Sequence, residues 1–358
     1  MIRMKQRRIL LACYGIPFGG AEIYTGRLAQ LLQGDAKFYA LCGNEKFATF
    51  LAGSGVSVFS YVPVLNWKLL SKVEYLLVCT VMLPYLRLRY SIDTIWIQGF
   101  REAMVLPWAR VLGYTTIATL HNTLTRSISQ VFYPYLILSA HKVICVSRSV
   151  AESVPAIVPR RKLAVVQNWV SSVPKPLRRD SSSSQLRMLY VGRLEKYKGA
   201  SLIFDAMREL NSKGEGHRVS LIVVGEGSYR SELERLAEGL DVQFAGFLGD
   251  TSSAYRNADL FIHPTLGPEG SSLVSLEAMS YGLPCILSDL GVNREITDHG
   301  QYALLFRRGD ASDLCAKIEM CLSSPRLLER YGQLAMSIVA GNHCSDIAHA
   351  RYIEEIGL

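Results

Sequence analysis

Residues 263–279 read HPTLGPEGSSLVSLEAM, preceded by DLFI (259–262) and followed after two residues by GLPCILSD (282–289). The flanking apolar runs are strand-length and bounded by Gly and Pro, and Gly270-Ser271-Ser272 opens a helix between them. A strand, a helix and a second strand in that order make a parallel unit with a right-handed crossover.

The same alternation extends in both directions. Strands are expected at LRMLYVG (186–192), VSLIVVG (219–225) and VQFAG (242–246), with helix-like sequence between. Further upstream RRILLACYG (7–15), TIWIQG (94–99), YTTIATLHN (114–122), KVICVS (142–147) and LAVVQN (163–168) repeat the pattern. Tyr24, Leu28, Leu31 and Leu32 fall on one helical face after the first of them. The segment VSSVPKPLRRDSSSSQ (170–185) is rich in Pro and Ser and has no period, so it separates two α/β sheets in series. The expected domains are 1–170 and 187–340, joined by a linker at 171–186, with a final helix in 341–358. That helix carries Ile347, Ala350, Ile353 and Ile356 at helical spacing.

Composition agrees with two folded domains. The chain has 358 residues, 49% hydrophobic and 20% charged, with a mean hydropathy of +0.17, which excludes disorder, collagen and a disulfide miniprotein. Charge is uneven. Through residue 180 there are 22 Lys and Arg against 8 Asp and Glu, and beyond it 17 against 23. Eight cysteines show no C-x-x-C and mostly lie in apolar runs, as buried thiols do in a reducing compartment. Basic residues precede ILLACYGI (9–16), but that run continues into PFGGAE rather than a small-residue cleavage site, so it reads as a strand. The longest strongly apolar run, Tyr75 to Leu86, has 12 residues, short of the ~20 needed to span a bilayer. A cytoplasmic protein, or one peripheral at the inner face of the cell membrane, is expected.

Four loops carry chemistry. Gly19-Gly20 lies between a strand and a helix, where backbone N–H groups can approach an anion. Gly192-Arg193 to Lys198-Gly199 places Arg193 and Lys198 five apart on one loop, and both can neutralise a departing diphosphate, whereas Glu195 and Lys196 read as solvated charges. Gly225-Glu226-Gly227-Ser228-Tyr229-Arg230 resembles a dinucleotide fingerprint with Arg230 in place of its third glycine; a loop passing close to a nucleotide fits better than an NAD site. In the opening stretch, amides from Ser271 through Leu273 to Val274 suit phosphate. Glu269 and Glu277 flank them, the latter about two turns into the helix. The competing assignments are a helix cap for Glu269 and a surface ion pair for Glu277. For His121 and His263, both at strand ends, the competing assignment is a structural histidine.

GGAE (19–22), HN (121–122), GRLEKYKG (192–199), VGEGSYRSELERL (224–236) and PEGSSLVSLEAMSYGLPCILSDLGVNREI (268–296) occur in the order of retaining nucleotide-sugar glycosyltransferases of family 4. The resemblance runs over nearly the whole chain and is weak between Tyr39 and Tyr114. It implies the GT-B fold: two Rossmann-like doubly wound domains facing a central cleft, with the C-terminal helix crossing back to the N-terminal domain. It further implies that Arg193 and Lys198 bind the diphosphate and that Glu277 holds the ribose. Glu269 would face the donor sugar, and Gly270, Ser271, Ser272, Leu273 and Val274 would contact sugar and distal phosphate. Gly192 and Gly225 would bring their loops close to the donor. Gly19 and Gly20 would belong to the loop that closes over it, and His121 would sit beside the sugar. Many members carry Phe-Gly after the first glutamate, where this chain has Gly270-Ser271-Ser272.

The reaction so implied moves a sugar from a nucleotide-diphosphate sugar, UDP- or GDP-linked, to a glycan or lipid-linked acceptor. It takes place in bacterial surface polysaccharide or lipopolysaccharide assembly, with retention of configuration and with neither cofactor nor metal. No Asp-x-Asp motif lies at a strand end, and front-face attack would leave positioning and leaving-group stabilisation as the main catalytic devices. The acceptor is expected on the basic N-terminal domain. There Trp67-Lys68-Leu69-Leu70-Ser71-Lys72 and Tyr85-Leu86-Arg87-Leu88-Arg89-Tyr90 mix cations with apolar side chains, as segments resting on an anionic membrane surface do. Backbone groups near Phe247 and Leu248 are expected to meet the base. The rival functions are a nucleotide-sugar epimerase of the same architecture and a non-catalytic nucleotide-sugar binding protein. Nucleic acid is not an expected partner, because no interleaved basic and aromatic surface motif is present.

Overall fold

The computed structural model describes residues 6–13, 19–61, 70–100, 102–124, 132–174 and 185–358. The chain divides into two compact units, Met1–Gln167 with Asp346–Leu358, and Asn168–Ser345. The first holds a parallel sheet of β1 (Arg7–Cys13), β2 (Ala36–Cys42), β3 (Ser57–Ser60), β4 (Thr94–Ile97), β5 (Thr115–Leu120), β6 (Lys142–Cys145) and β7 (Leu163–Val165). Their order is β3-β2-β1-β4-β5-β6-β7. The second holds β8 (Leu186–Val191), β9 (Val219–Val224), β10 (Val242–Gly246), β11 (Leu260–His263), β12 (Cys285–Ser288) and β13 (Leu304–Phe306), ordered β10-β9-β8-β11-β12-β13.

Strands of a parallel sheet covered on both faces are apolar at every position rather than alternating. In β8 Met188 and Tyr190 enter one core with Phe204, Leu221 and Ile262. Leu189 and Val191 enter the other with Phe261, Leu276 and Met279. Strands β2, β3 and β13 were not among those expected. Both β3 and β13 are edge strands of four and three residues, and AKFYALC of β2 is broken by the exposed Lys37.

The expected linker at 171–186 falls partly outside the described residues, and Leu186 is the first residue of β8. Downstream, the helix Pro325–Asn342 continues past residue 340, and the final helix is Ser345–Ile356. Its buried face is Ala348, Tyr352 and Ile356, while Ala350 is exposed. The expected apolar face was therefore offset, because an aromatic sets it. Tyr352 is fully buried within the first unit, 5.7 Å from the Trp96 ring centroid and hydrogen-bonded hydroxyl to hydroxyl with Tyr24. Three polar contacts hold the same helix: His349 Nε2 to Asp35 Oδ2 at 2.8 Å, Lys142 Nζ to Glu355 Oε2 at 2.6 Å, and Arg7 Nη1 to the Ile356 carbonyl at 3.0 Å.

Within the second unit the two chain crossings lie side by side. The Val170 amide donates to the His343 carbonyl at 2.9 Å, and Ser345 Oγ donates to the Val170 carbonyl at 3.2 Å.

Candidate functional site

Strand order puts β8 beside β11, and the connections that leave them, to β9 and to β12, run in opposite directions and open a crevice beyond their carboxyl ends. Ligands of open α/β sheets bind at such points. Here the loops after β8, β9 and β11 are fastened to one another. The Gly192 amide donates to the Val224 carbonyl (3.0 Å), Leu194 to Glu226 (2.9 Å) and Tyr229 to Leu194 (2.8 Å). Leu266 and Gly267 both donate to the Tyr197 carbonyl, at 2.7 and 3.0 Å. Two glycines make this closeness possible. At Gly225, φ is +138° and a Cβ would lie 1.9 Å from the Gly192 carbonyl oxygen; at Gly199, φ is +70° and a Cβ would lie 2.1 Å from that of Pro264.

These loops bring the expected second-unit residues together. Lys198 Nζ donates to Glu269 Oε2 at 2.6 Å, with both side chains mostly buried. Arg193 donates to the Tyr197 hydroxyl, and its guanidinium lies 5.9 Å from the Tyr197 ring centroid, with Lys198 Nζ 5.6 Å from the same ring. Burial acts to raise the Glu269 carboxyl, but Lys198, His263 and Arg193 outweigh it and hold the group below the ordinary carboxylate range. Burial pulls His263 down to about 4, so it is neutral at physiological pH. Its side chain is buried at the end of β11, as a structural histidine would be.

The helix after this loop begins at Leu273, later than expected. Its cap is Ser272, whose hydroxyl accepts from the Ser275 amide at 3.2 Å. Glu269 is therefore not the cap. Leu273 and Val274 are the first helical residues, whose amides have no acceptor inside the helix. Glu277 lies little more than one turn in, not two, which keeps it close to those amides.

Three residues at this site were not anticipated. Tyr255 is buried and donates to Glu277 Oε2 at 3.0 Å, aiming that carboxylate. Its ring stacks on Tyr281 at 5.4 Å. Asn168 Nδ2 donates to the Ser271 carbonyl at 3.0 Å, tying the crossing segment to the phosphate-type turn. Tyr197 supports both cations. Tyr255 and Asn168 act through contacts distant in sequence, which no local pattern marks. The Gly225 loop is held by Glu195, which accepts from Ser228 Oγ at 2.7 Å, so Glu195 is no freely solvated charge. Arg230 is engaged by Glu226 of the same loop and by Glu234 one turn into the helix Arg230–Leu236. Phe247 is exposed just past β10, next to Gly246, whose carbonyl accepts from the Gly225 amide at 2.8 Å.

The first unit has its own switch point, between β1 and β4. Gly19 caps the helix Gly20–Leu31 and donates its amide to Glu22 Oε2 at 2.8 Å. A Cβ at Gly20 would meet nothing within 4 Å, so packing inside the chain does not demand glycine there. His121 follows β5. Its Nε2 donates to Gln98 Oε1 at 3.2 Å, and its ring lies edge-on to Tyr24 at 4.6 Å. Burial lowers it to about 4, leaving a neutral imidazole. Gln98, at the end of β4, is the unanticipated partner. The two units thus hold separate parts of the expected set: Gly19, Gly20 and His121 in one, the rest in the other.

Two parallel doubly wound sheets in one chain, each with its glycine-bearing loops at a switch point, define the GT-B class. HepE of Anabaena, solved with UDP and glucose, superposes with a TM-score of 0.84 at 19% identity over 98% of this chain and 99% of that one. The lipopolysaccharide outer core galactosyltransferase WaaB gives 0.73 at 17% identity, covering 98% and 99%. The family follows from sequence: residues 18–172 match the model for Glycosyltransferase Family 4, and residues 185–324 that for Glycosyl transferases group 1. The chain is a glycosyltransferase built of a Family 4 domain followed by a group 1 domain. A phosphatidyl-myo-inositol mannosyltransferase of Mycobacterium leprae is 28% identical over 240 residues, 63% of this chain and 62% of that relative. The match thus spans less than two thirds of the relative's length.

Proposed function

We propose that the protein transfers a sugar, with retention, from a UDP- or GDP-linked donor to a hydroxyl of a glycan or lipid-linked acceptor in the assembly of a bacterial surface glycan. The observation that carries this reading is the convergence of Arg193, Lys198, Glu269, the Leu273 and Val274 amides and Glu277 at one switch point. Cations and helix-start amides suit a diphosphate, and the carboxylates flanking them suit the hydroxyls of a sugar and a ribose. HepE with UDP, WaaB and the mycobacterial phosphatidylinositol enzyme support the choice of donor and acceptor class.

Negative charge on the departing diphosphate is met by Arg193 and Lys198, so the reaction requires no metal. The departing phosphate oxygen takes the acceptor proton as the new bond forms on the same face. Neutral His121 and the Gly19-Gly20 turn contribute from the first unit by positioning. The acceptor is membrane-proximal and the protein works at the cytoplasmic face.

Incubation with a panel of UDP-, GDP- and ADP-sugars tests this. Nucleoside diphosphate is released from a UDP- or GDP-sugar, at the same rate in EDTA, and the product anomer matches the donor. Conversion of the donor to another nucleotide sugar without an acceptor would support an epimerase; binding without release would support a non-catalytic role.

A further inference from the structure

The helix Leu70–Tyr90 displays two apolar stripes. Tyr75, Cys79, Leu83 and Leu86 are buried in the first unit. On the outside, Leu77, Val81, Tyr85 and Leu88 are 62%, 72%, 49% and 85% exposed, at spacings of four, four and three residues. A surface helix normally turns polar side chains to water on that side. A contiguous apolar surface of this kind marks an interaction site.

The stripe has neighbours. Crossovers β3→β4, β4→β5 and β5→β6 step in the same direction along the sheet. Right-handed connections therefore put helices Leu70–Tyr90, Leu106–Val111 and Tyr133–Ile137 on one face. The layer is tied together by Tyr114, whose hydroxyl donates to the Leu83 carbonyl at 2.7 Å and whose ring lies 5.1 Å from the Arg87 guanidinium. Val111, Phe132 and Tyr135 add exposed apolar groups to the same layer.

Charge decides the partner. Arg89 and Arg110 are exposed on these helices. Among the described residues of the three helices and the 3-10 turn Glu102–Val105, the acids are Glu74 and the buried Glu102. Over the first unit Lys and Arg number 20 against 10 Asp and Glu, whereas in the second they number 19 against 21. A protein partner with a complementary core would not require this cationic bias. A bilayer rich in anionic headgroups uses both properties, with apolar side chains entering the acyl boundary and arginines reaching back to phosphates.

We infer that the outer face of these three helices docks the first unit on an anionic lipid surface, with the ridge from Leu77 to Leu88, about 16 Å long, lying in the interface. Tyr85 sits at the depth where amphipathic rings are favoured. Of the two segments expected to meet a membrane, Tyr85–Tyr90 contributes Tyr85, Leu88 and Arg89, while Leu86 is core; Trp67–Leu69 lie outside the described residues. The inference deepens the membrane-proximal acceptor proposed above and rests on it for its purpose.

Sedimentation of the full chain with vesicles tests it, using phosphatidylcholine alone and phosphatidylcholine with one third phosphatidylglycerol. Binding to the anionic vesicles is at least tenfold tighter than to the neutral ones and is lost in 0.5 M salt. The double variant Val81→Glu/Leu88→Glu, changed only at exposed positions, keeps its melting temperature and its affinity for UDP and GDP but binds anionic vesicles at least tenfold more weakly. Absence of wild-type binding, equal binding to neutral vesicles, or unaltered binding by the variant overturns the inference. So does concentration-dependent dimerisation abolished by the same variant, which would assign the face to a second copy of the chain. Because UDP and GDP affinity is read separately, failure of docking and failure of the transfer reading are distinguishable.

Discussion

Lys198 and Glu269 each leave the other mostly buried, so neither is replaceable alone. Breaking a buried pair strands a charge and costs about 3–5 kcal/mol. Glu269 is held below its unfolded value, so its stabilising contribution is complete above the ordinary carboxylate pKa of about 4.3 and is lost as pH falls through the lowered folded value. In Lys198→Met the largest remaining influence is burial, which raises the carboxyl. The acid limb of the pH–rate profile should move to higher pH, with turnover reduced far more than donor affinity; an unmoved limb would refute the coupling. Glu277→Ala should instead raise the donor KM with a smaller effect on kcat. Tyr255→Phe should follow it in direction, by roughly 10–100-fold, because a hydrogen bond to a charged group contributes about 1.5–3 kcal/mol and each 1.4 kcal/mol is tenfold. Steady-state kinetics on both variants checks this, and a kcat effect from Tyr255→Phe at unchanged KM would remove its positioning role. The charged members of the site were legible because cations and carboxylates on glycine-bounded loops are unusual. Tyr255, Tyr197, Asn168 and Gln98 were not, since a lone aromatic or amide in a short helix or beside a strand end has no period or motif to announce it.

The same contrast holds for strands, loops and helices. Central strands were readable because burial on both faces makes them apolar throughout; β3 and β13 were missed because a short edge strand draws its register from its neighbour. The glycine motifs showed where loops turn, but not that the loops after β8 and β9 interlock. Gly225→Ala tests that lock. With φ at +138° and a carbonyl 1.9 Å from the added Cβ, strain and displacement together should cost at least about 1–3 kcal/mol. The expected result is a lower melting temperature and loss of nucleotide affinity, whereas Gly20→Ala should leave stability unchanged, its Cβ site being open. Equal melting temperatures for wild type and Gly225→Ala would contradict the lock.

Across the molecule, the final helix belongs to the first unit although the preceding 178 residues, Asn168–Ser345, form the second. Its existence was readable from helical spacing. Its orientation was not, because a single tyrosine outweighs three aliphatic positions when it reaches a buried partner. Tyr352→Ala should open a cavity against Trp96 and Tyr24 and cost the first unit about 3–5 kcal/mol. Hydrogen exchange should show the loss in β1 and β4 while β8 and β9 stay protected; uniform loss across both sheets would mean that the units do not unfold separately.

Titration calorimetry with UDP and GDP against the wild type and Arg193→Ala/Lys198→Ala puts the diphosphate grip itself on trial. The wild type should bind at least one of the two nucleotides, and the double variant should bind it at least a hundredfold more weakly while binding the free nucleoside as before. Absence of nucleotide binding by the wild type, or equal affinity in the variant, would contradict the account.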